Sequence, residues 1–491
     1  MKKSFIRMVA IVMALLTALS VPLSCTASAA KTEEGYNGYP LILIRGMDFN
    51  GIYYRLGTEE EQRCFKGIEA GPLIKALGKS VWKGITKWSL DAFLDEVCLY
   101  TTDIMGLMAC NKDGSSRYDV SVSEYPLSLA NYPEYKEWGT VNEMGILQTA
   151  CQNYGAENVY YFNYDWRIDP FINAEKINAM VEQAKQDSGK DKVNLVCCSM
   201  GGIEAVSYMY RYGSDSLNRV IFLSSTVTGT HVTSDVLRGK VELNPNNFYR
   251  FVCQSVAPDS KVVQFLFSAL YKMRAFDGLC RFANGFIAKA KDKVYDSFLT
   301  DTFGTMPTVW ALVLPEYYDE AISYMFGGKE DEYADFIALT KVYQTMAAER
   351  DSMLKEAAAK GTSICLVAGY DRCCVPVYSG GQCNGDGTLE ADRMLGGAVV
   401  SPLNGTLGSD YVPADSTRLS PDKKVDLSGV LFPDTTWAVR NLNHVGCTTD
   451  TDSSDFLFWL LGFEGEVTVN TDPRYPQFMV SSDGYTLAPQ E

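Results

Sequence analysis

The chain has 491 residues, 46% hydrophobic and 12% aromatic, enough for one large core with insertions or for two domains. Its formal net charge of -16 and pI near 4.8 make a surface expected to repel nucleic acid and anionic membranes. No basic patch stands out along the sequence.

The first residues read as a targeting segment. Lys2, Lys3 and Arg7 precede the apolar run Val9 to Leu19, and Ala27-Ser28-Ala29 is a small-residue cleavage site, so a secretory signal peptide is expected over 1–29. A lipoprotein signal through Leu23-Ser24-Cys25 is disfavoured, because Pro22 stands where an aliphatic residue is needed. No later stretch holds ~18 uninterrupted apolar residues, so no transmembrane segment is expected in the mature, secreted chain.

Beyond it, strand and helix signals alternate. Tyr39 to Ile44 is a short apolar strand running into Arg45-Gly46-Met47-Asp48-Phe49. Residues 51–139 are an insertion of helices and loops. Asn142 to Tyr154 reads as a helix, Val159 to Phe162 as a strand, Ala174 to Gln186 as a helix, and Val193 to Cys197 as a buried strand. Arg219 to Leu223 is the next strand. From 228 to 361 the pattern becomes helical and aromatic-rich, which reads as a cap or lid. Ile364 to Ala368 resumes the sheet, Ser454 to Leu461 is a closing helix, and the tail from Val469, polar and Pro-containing, is expected to wrap the surface or to be loose. Strands alternating with helices predict a mostly parallel sheet with crossover helices. The organisation expected is an α/β-hydrolase fold in two core parts, 30–227 and 362–491, around a helical cap at 228–361.

Chemistry concentrates at Cys198-Ser199-Met200-Gly201-Gly202. A buried strand that breaks at a Ser among small residues and opens a helix is a nucleophile elbow. The turn exposes the Ser199 hydroxyl and aims the Met200 N–H at a developing oxyanion. Cys197 replaces the first Gly of the usual G-x-S-x-G pattern. A Ser nucleophile needs a base, and the chain has only two histidines, His231 and His444. The chain order Ser, acid, His leaves room only for His444. Two acids compete. Asp371 directly follows a strand in Ala368-Gly369-Tyr370-Asp371, and Asp386 lies in Asn384-Gly385-Asp386-Gly387-Thr388. The plainer readings are a chance Ser turn, an ordinary loop His and a Gly-Asp-Gly turn.

Four islands carry a resemblance: Tyr164-Asp165-Trp166-Arg167, the Ser-Met-Gly-Gly elbow, Thr305 to Trp310 with Leu314-Pro315, and Gly385-Asp386-Gly387-Thr388. Together they resemble the lecithin:cholesterol acyltransferase family of α/β-hydrolase lipases, phospholipases and acyltransferases, across most of the mature chain. The resemblance implies Asp386 as the acid and places Trp166 near the acyl site, though an Asp–Arg pair there also serves simply to lock a loop. Ile44-Arg45-Gly46-Met47 is similar to the His-Gly-x turn of bacterial lipases, which implies the Met47 N–H as second oxyanion donor. Arg45 and Cys198 stand where a His is often found, which leaves the subfamily open.

The expected function is cleavage or transfer of the acyl group of a lipid-like ester through Ser199, Asp386 and His444, without cofactor or metal and with passing contact with lipid interfaces. The other classes are a non-catalytic binding protein on a hydrolase scaffold and a small-ester esterase or peptidase. Phe265, Phe267, Phe282, Phe286, Trp310 and Leu312 are expected to pack inside the cap or to line an acyl cleft. Of 14 cysteines, Cys373, Cys374 and Cys383 lie close enough in sequence to pair, and no spacing matches a zinc site.

Overall fold

The computed structural model describes residues 38–66, 99, 102–138, 144–256, 261–377, 383–448 and 452–491. The expected signal peptide, Cys25 and residues 67–98 of the first insertion lie outside them.

Short apolar runs that alternate between two faces need a cover on both sides, and that requirement builds the centre of the molecule. Eight strands form one sheet: β1 (Leu41–Ile44), β2 (Val159–Phe162), β3 (Val193–Cys198), β4 (Leu217–Leu223), β5 (Ser363–Tyr370), β6 (Thr436–Arg440), β7 (Phe478–Val480) and β8 (Ala488–Pro489). Their order is β8-β7-β6-β5-β4-β3-β1-β2, parallel throughout except for the β7–β8 pair. Ile42, Ile44, Leu195 and Cys197 face one core, and Leu41, Leu43, Val196 and Cys198 face the other.

The first core is covered by α2 (Pro170–Ser188), α3 (Gly201–Tyr212) and the long helix α10 (Ala334–Ala359); the second by α1 (Met144–Tyr154) and α11 (Asp452–Gly462). Local chemistry fixes α2 at both ends. Pro170 opens it, the Asp169 side chain accepts the Phe171 N–H at 3.0 Å, and Gly189 at φ 67° closes it.

Between β4 and β5 lie α4 (His231–Leu237), α5 (Pro245–Val256), α6 (Lys261–Lys272), α7 (Ala275–Val294), α8 (Pro307–Ala311), α9 (Tyr318–Phe326) and then α10. This region, expected as one cap, divides in two. Rings join α5, α6 and α7, with Tyr249 4.4 Å from Tyr271 and 5.5 Å from Phe276. Helices α8 to α10 instead share the core of the sheet: Trp310 is fully buried against Phe326 and Phe336, and Tyr343 of α10 donates to Asp169 at 2.9 Å. Trp310 and the buried Leu312 are therefore core residues.

The tail, expected to wrap the surface or to be loose, does more than either. Phe478 and Met479 are buried, so the segment joins the sheet as β7, and Pro489, which cannot donate to a further strand, lies on the edge strand β8. In the first insertion, residues 53–54, 62–63 and 120–121 form a small antiparallel ladder. The buried Arg167 ties this insertion to the core, donating to the Met108 carbonyl at 2.8 Å and the Ser116 hydroxyl at 3.1 Å.

Candidate active site

The chain runs outward from β1 to β2 and returns to the other side of β1 as β3, so the carboxyl ends of β1 and β3 flank the point where the winding reverses. Ser199 sits there, one residue past β3, at φ 53°. Its N–H reaches the Leu223 carbonyl at 3.4 Å, and its carbonyl accepts from the Ser225 hydroxyl at 2.5 Å. The next two small residues follow from crowding. A Cβ at Gly201 would lie 2.6 Å from the Arg45 carbonyl, and one at Gly202 would lie 2.2 Å from Ser225 Oγ. Cys197 pairs with Ile44 on one side and Phe222 on the other, its side chain wholly buried in the first core. A thiol thus fits where the usual pattern has Gly.

His444 follows β6 in a loop held from both sides. Asn441 accepts from Arg372 at 3.1 Å and donates to the Ser481 carbonyl at 3.0 Å, and the Asn443 N–H donates to the Gly484 carbonyl at 2.9 Å. The His444 ring spans two of the predicted residues: Nδ1 lies 2.7 Å from Asp386 Oδ2 and Nε2 lies 3.0 Å from Ser199 Oγ. With its proton on Nδ1, the ring donates to Asp386 and Nε2 accepts the Ser199 hydroxyl. Asp386 is fully buried, and its other oxygen accepts the N–H groups of Thr388 and Leu389, each at 2.9 Å.

The competing acid and base are engaged elsewhere. Asp371 accepts Lys424 at 2.6 Å and Arg440 at 3.0 Å. His231 lies 2.9 Å from Arg393 and 3.4 Å from Asp392.

The loop after β1 is braced in a way the sequence reading missed. Arg45, nearly wholly buried, donates to Asn163 at 2.7 Å and pairs with Asp48 at 2.6 Å. The Tyr164 hydroxyl donates to the Arg45 carbonyl at 3.1 Å, and the Trp166 indole N–H to the Asp48 carbonyl at 3.0 Å. The only sequence signal for this was the polar island directly after β2. Met47 is half-buried in the braced loop, and Met200 is buried at the elbow. Trp166, expected near an acyl chain, is 1% exposed and packs edge-on against Phe49, so it presents no accessible face among the described residues. Its neighbours Asp165 and Arg167 form a two-pronged pair at 2.9 and 2.6 Å.

Behind Asp386 lies a second buried carboxyl, Glu390, whose Oε1 accepts the Val232 N–H at 3.0 Å. Burial pushes it up to about 7. Cys373 and Cys383 flank the same loop, bracketed by Asn247 at 3.1 and 3.2 Å. The neighbouring Cys383 and burial push the Cys373 thiol far up.

A cavity of about 910 Å³ lies at the opposite, amino ends of the strands, lined by Tyr39, Arg219, Ser363 and Thr435 among others, and by none of Ser199, Asp386 or His444. Among the described residues no cluster of three or more His, Cys, Asp or Glu could hold a metal, and no helix is long and apolar enough to cross a membrane. In comparisons with known proteins, no protein-family model and no curated protein matches the chain.

Proposed function

We propose that the chain is a serine hydrolase of the α/β-hydrolase type that cleaves, or transfers, the acyl group of lipid-like carboxylic esters. The observation that carries this reading is the hydrogen-bonded series Ser199, His444, Asp386, with contacts of 3.0 and 2.7 Å at the carboxyl ends of the strands. The islands that resemble the lecithin:cholesterol acyltransferase family point to a lipid ester, and the α5–α7 helices are read as its lid.

In this reading Ser199 Oγ attacks the ester carbonyl while His444 Nε2 takes its proton. The negative charge moves to the carbonyl oxygen, facing the N–H groups of Met200 and Met47; each such donor lowers the barrier by roughly 2.7–4 kcal/mol. Collapse breaks the ester C–O bond, and the alcohol leaves with the proton held by His444. Water, or a second alcohol, then attacks the acyl carbon while His444 takes its proton; collapse breaks the bond to Ser199 Oγ, which receives that proton from His444 as the acid or new ester leaves. Asp386 keeps the ring in the required tautomer and stabilises the imidazolium.

A fluorophosphonate probe tests the reading directly. The wild-type chain is expected to become labelled and the Ser199→Ala variant to stay unlabelled. An unlabelled wild type, or a labelled variant, removes the nucleophile assignment.

A further inference from the structure

The outer side of α6 is apolar although its inner side already has partners. Inward, Phe267 packs 6.5 Å from Phe276 and Tyr271 stacks on Tyr249 at 4.4 Å. Outward, Phe265 is 73%, Leu266 55%, Leu270 43% and Met273 77% exposed. At 100° per residue these four fall within one arc of the helix and the turn that follows it. Scattered exposed apolar side chains are ordinary, but a contiguous stripe marks an interaction surface.

Charge says what kind. In a chain of net charge -16, residues 261–294 carry seven basic residues against two acidic ones, Asp277 and Asp292. Lys272 and Arg274 are exposed in the α6–α7 turn, next to Met273. Arg281 and Lys289 are exposed on α7, with Phe282 47% exposed between them. The acidic average of the chain hides this reversal, which corrects the expectation of no basic patch.

We propose that the outer face of α6 and the α6–α7 turn dock on an anionic lipid surface. Apolar side chains enter the boundary between headgroups and acyl chains, and the cations beside them pair with lipid phosphates. A nucleic acid would use the cations but not Leu266, Leu270 and Met273. A second copy of the chain would set one basic face against another. The acidic remainder of the molecule is repelled by the same membrane, so the field turns this face toward it.

The surface is joined to the candidate site: Gln254 of α5 accepts the Cys373 N–H at 2.8 Å, on the strand leading to the Asp386 loop. The proposal rests on the lipid-ester reading for its substrate, but binding can be read without turnover.

The experiment is co-sedimentation of the full chain, as Ser199→Ala, with vesicles of phosphatidylcholine alone or mixed with phosphatidylglycerol. Binding to the mixed vesicles is expected, weakened by salt, and at least about tenfold stronger than to neutral ones. Lys272→Gln with Arg274→Gln should weaken it by about thirtyfold, the loss for two cations at an anionic surface. Phe265→Asp with Met273→Asp should abolish it. On the wild-type background these exposed substitutions should leave hydrolysis of a soluble ester unchanged, which shows that the variants fold. Equal binding to both vesicle types, no binding, or a dimer that the same substitutions dissociate would overturn the proposal. Vesicle binding without any ester hydrolysis would instead remove the enzymatic reading and leave the docking surface standing.

Discussion

Asp386 and His444 are joined twice: the carboxylate meets ring Nδ1 at 2.7 Å, and the Asp386 carbonyl accepts the His444 backbone N–H at 3.1 Å. The second bond fixes where the ring begins and the first fixes how it is turned. Ser199 is then met at 3.0 Å without a search through rotamers.

That double link sets apart the two acids the sequence offered. Asp386→Asn should lower turnover on the order of 10⁴-fold, because an amide favours the wrong imidazole tautomer. Asp371→Asn should keep most activity and lose about 1–2 kcal/mol of stability, since Lys424 and the partly exposed Arg440 lose their shared carboxylate. Steady-state kinetics and chemical denaturation of both variants decide it, and the reverse ranking of turnover moves the acid to Asp371.

Histidine substitution gives a second contrast. His444→Ala should abolish hydrolysis of a p-nitrophenyl ester. His231→Ala should retain most of it, because His231 is engaged by Arg393 and Asp392. Wild-type turnover in the His444 variant would end the proposed relay.

Glu390 makes stability depend on pH. Burial raises its carboxyl from 4.5 to about 7, so over that interval the folded chain holds a proton that the unfolded chain releases. Stability should therefore fall as pH rises from about 4.5 to 7, by about 3 kcal/mol from this group, and the penalty should be absent below the lower value. Glu390→Gln should flatten that part of the profile in urea titrations run across pH. An unchanged slope would mean the carboxyl is ionised in the fold.

Gly202→Ala should destabilise the chain by about 1–3 kcal/mol and reduce fluorophosphonate labelling, because the new methyl meets Ser225 Oγ at 2.2 Å and the Thr226 carbonyl at 2.6 Å. Gly278→Ala on α7, where nothing lies within 4 Å, should instead stabilise by roughly 0.5–1 kcal/mol. Equal melting temperatures for the two variants would contradict the crowding at the elbow.

Acyl-chain preference tests the lipid half of the proposal. The specificity constant should rise from acetyl to medium or long acyl esters as methylenes become buried, each contributing up to about 0.8 kcal/mol. A maximum at acetyl, falling steadily with length, would leave a small-ester hydrolase.

The sheet was legible because its strands are apolar on both faces and need no distant partner to be recognised. Ser199 was legible because the elbow needs small residues at Gly201 and Gly202 wherever it occurs. His444 followed from scarcity, since only two histidines exist. The choice between Asp371 and Asp386 could not be read from strand position, because it depends on which carboxylate Lys424 and Arg440 occupy. Trp310 and Leu312 were assigned to the cap, inside it or along a cleft, for a similar reason: a helix with apolar residues looks the same whether it covers a cleft or a sheet. The tail's strands were missed because Phe478 and Met479 are too short a run to announce themselves. The basic face was missed because a whole-chain average was taken for a local charge.

The residue just past each of the neighbouring strands β3, β4, β5 and β6 is left-handed: Ser199 at φ 53°, Ser224 at 44°, Asp371 at 70° and Asn441 at 61°. None is glycine, and each such residue costs about 1–2 kcal/mol in backbone strain. The row holds the proposed nucleophile and leads into the loop of its proposed base, so the least relaxed part of the backbone coincides with the groups of the candidate site. Heating should therefore loosen this row before the sheet separates, and the chain should stop turning over substrate at temperatures where its strands are still paired.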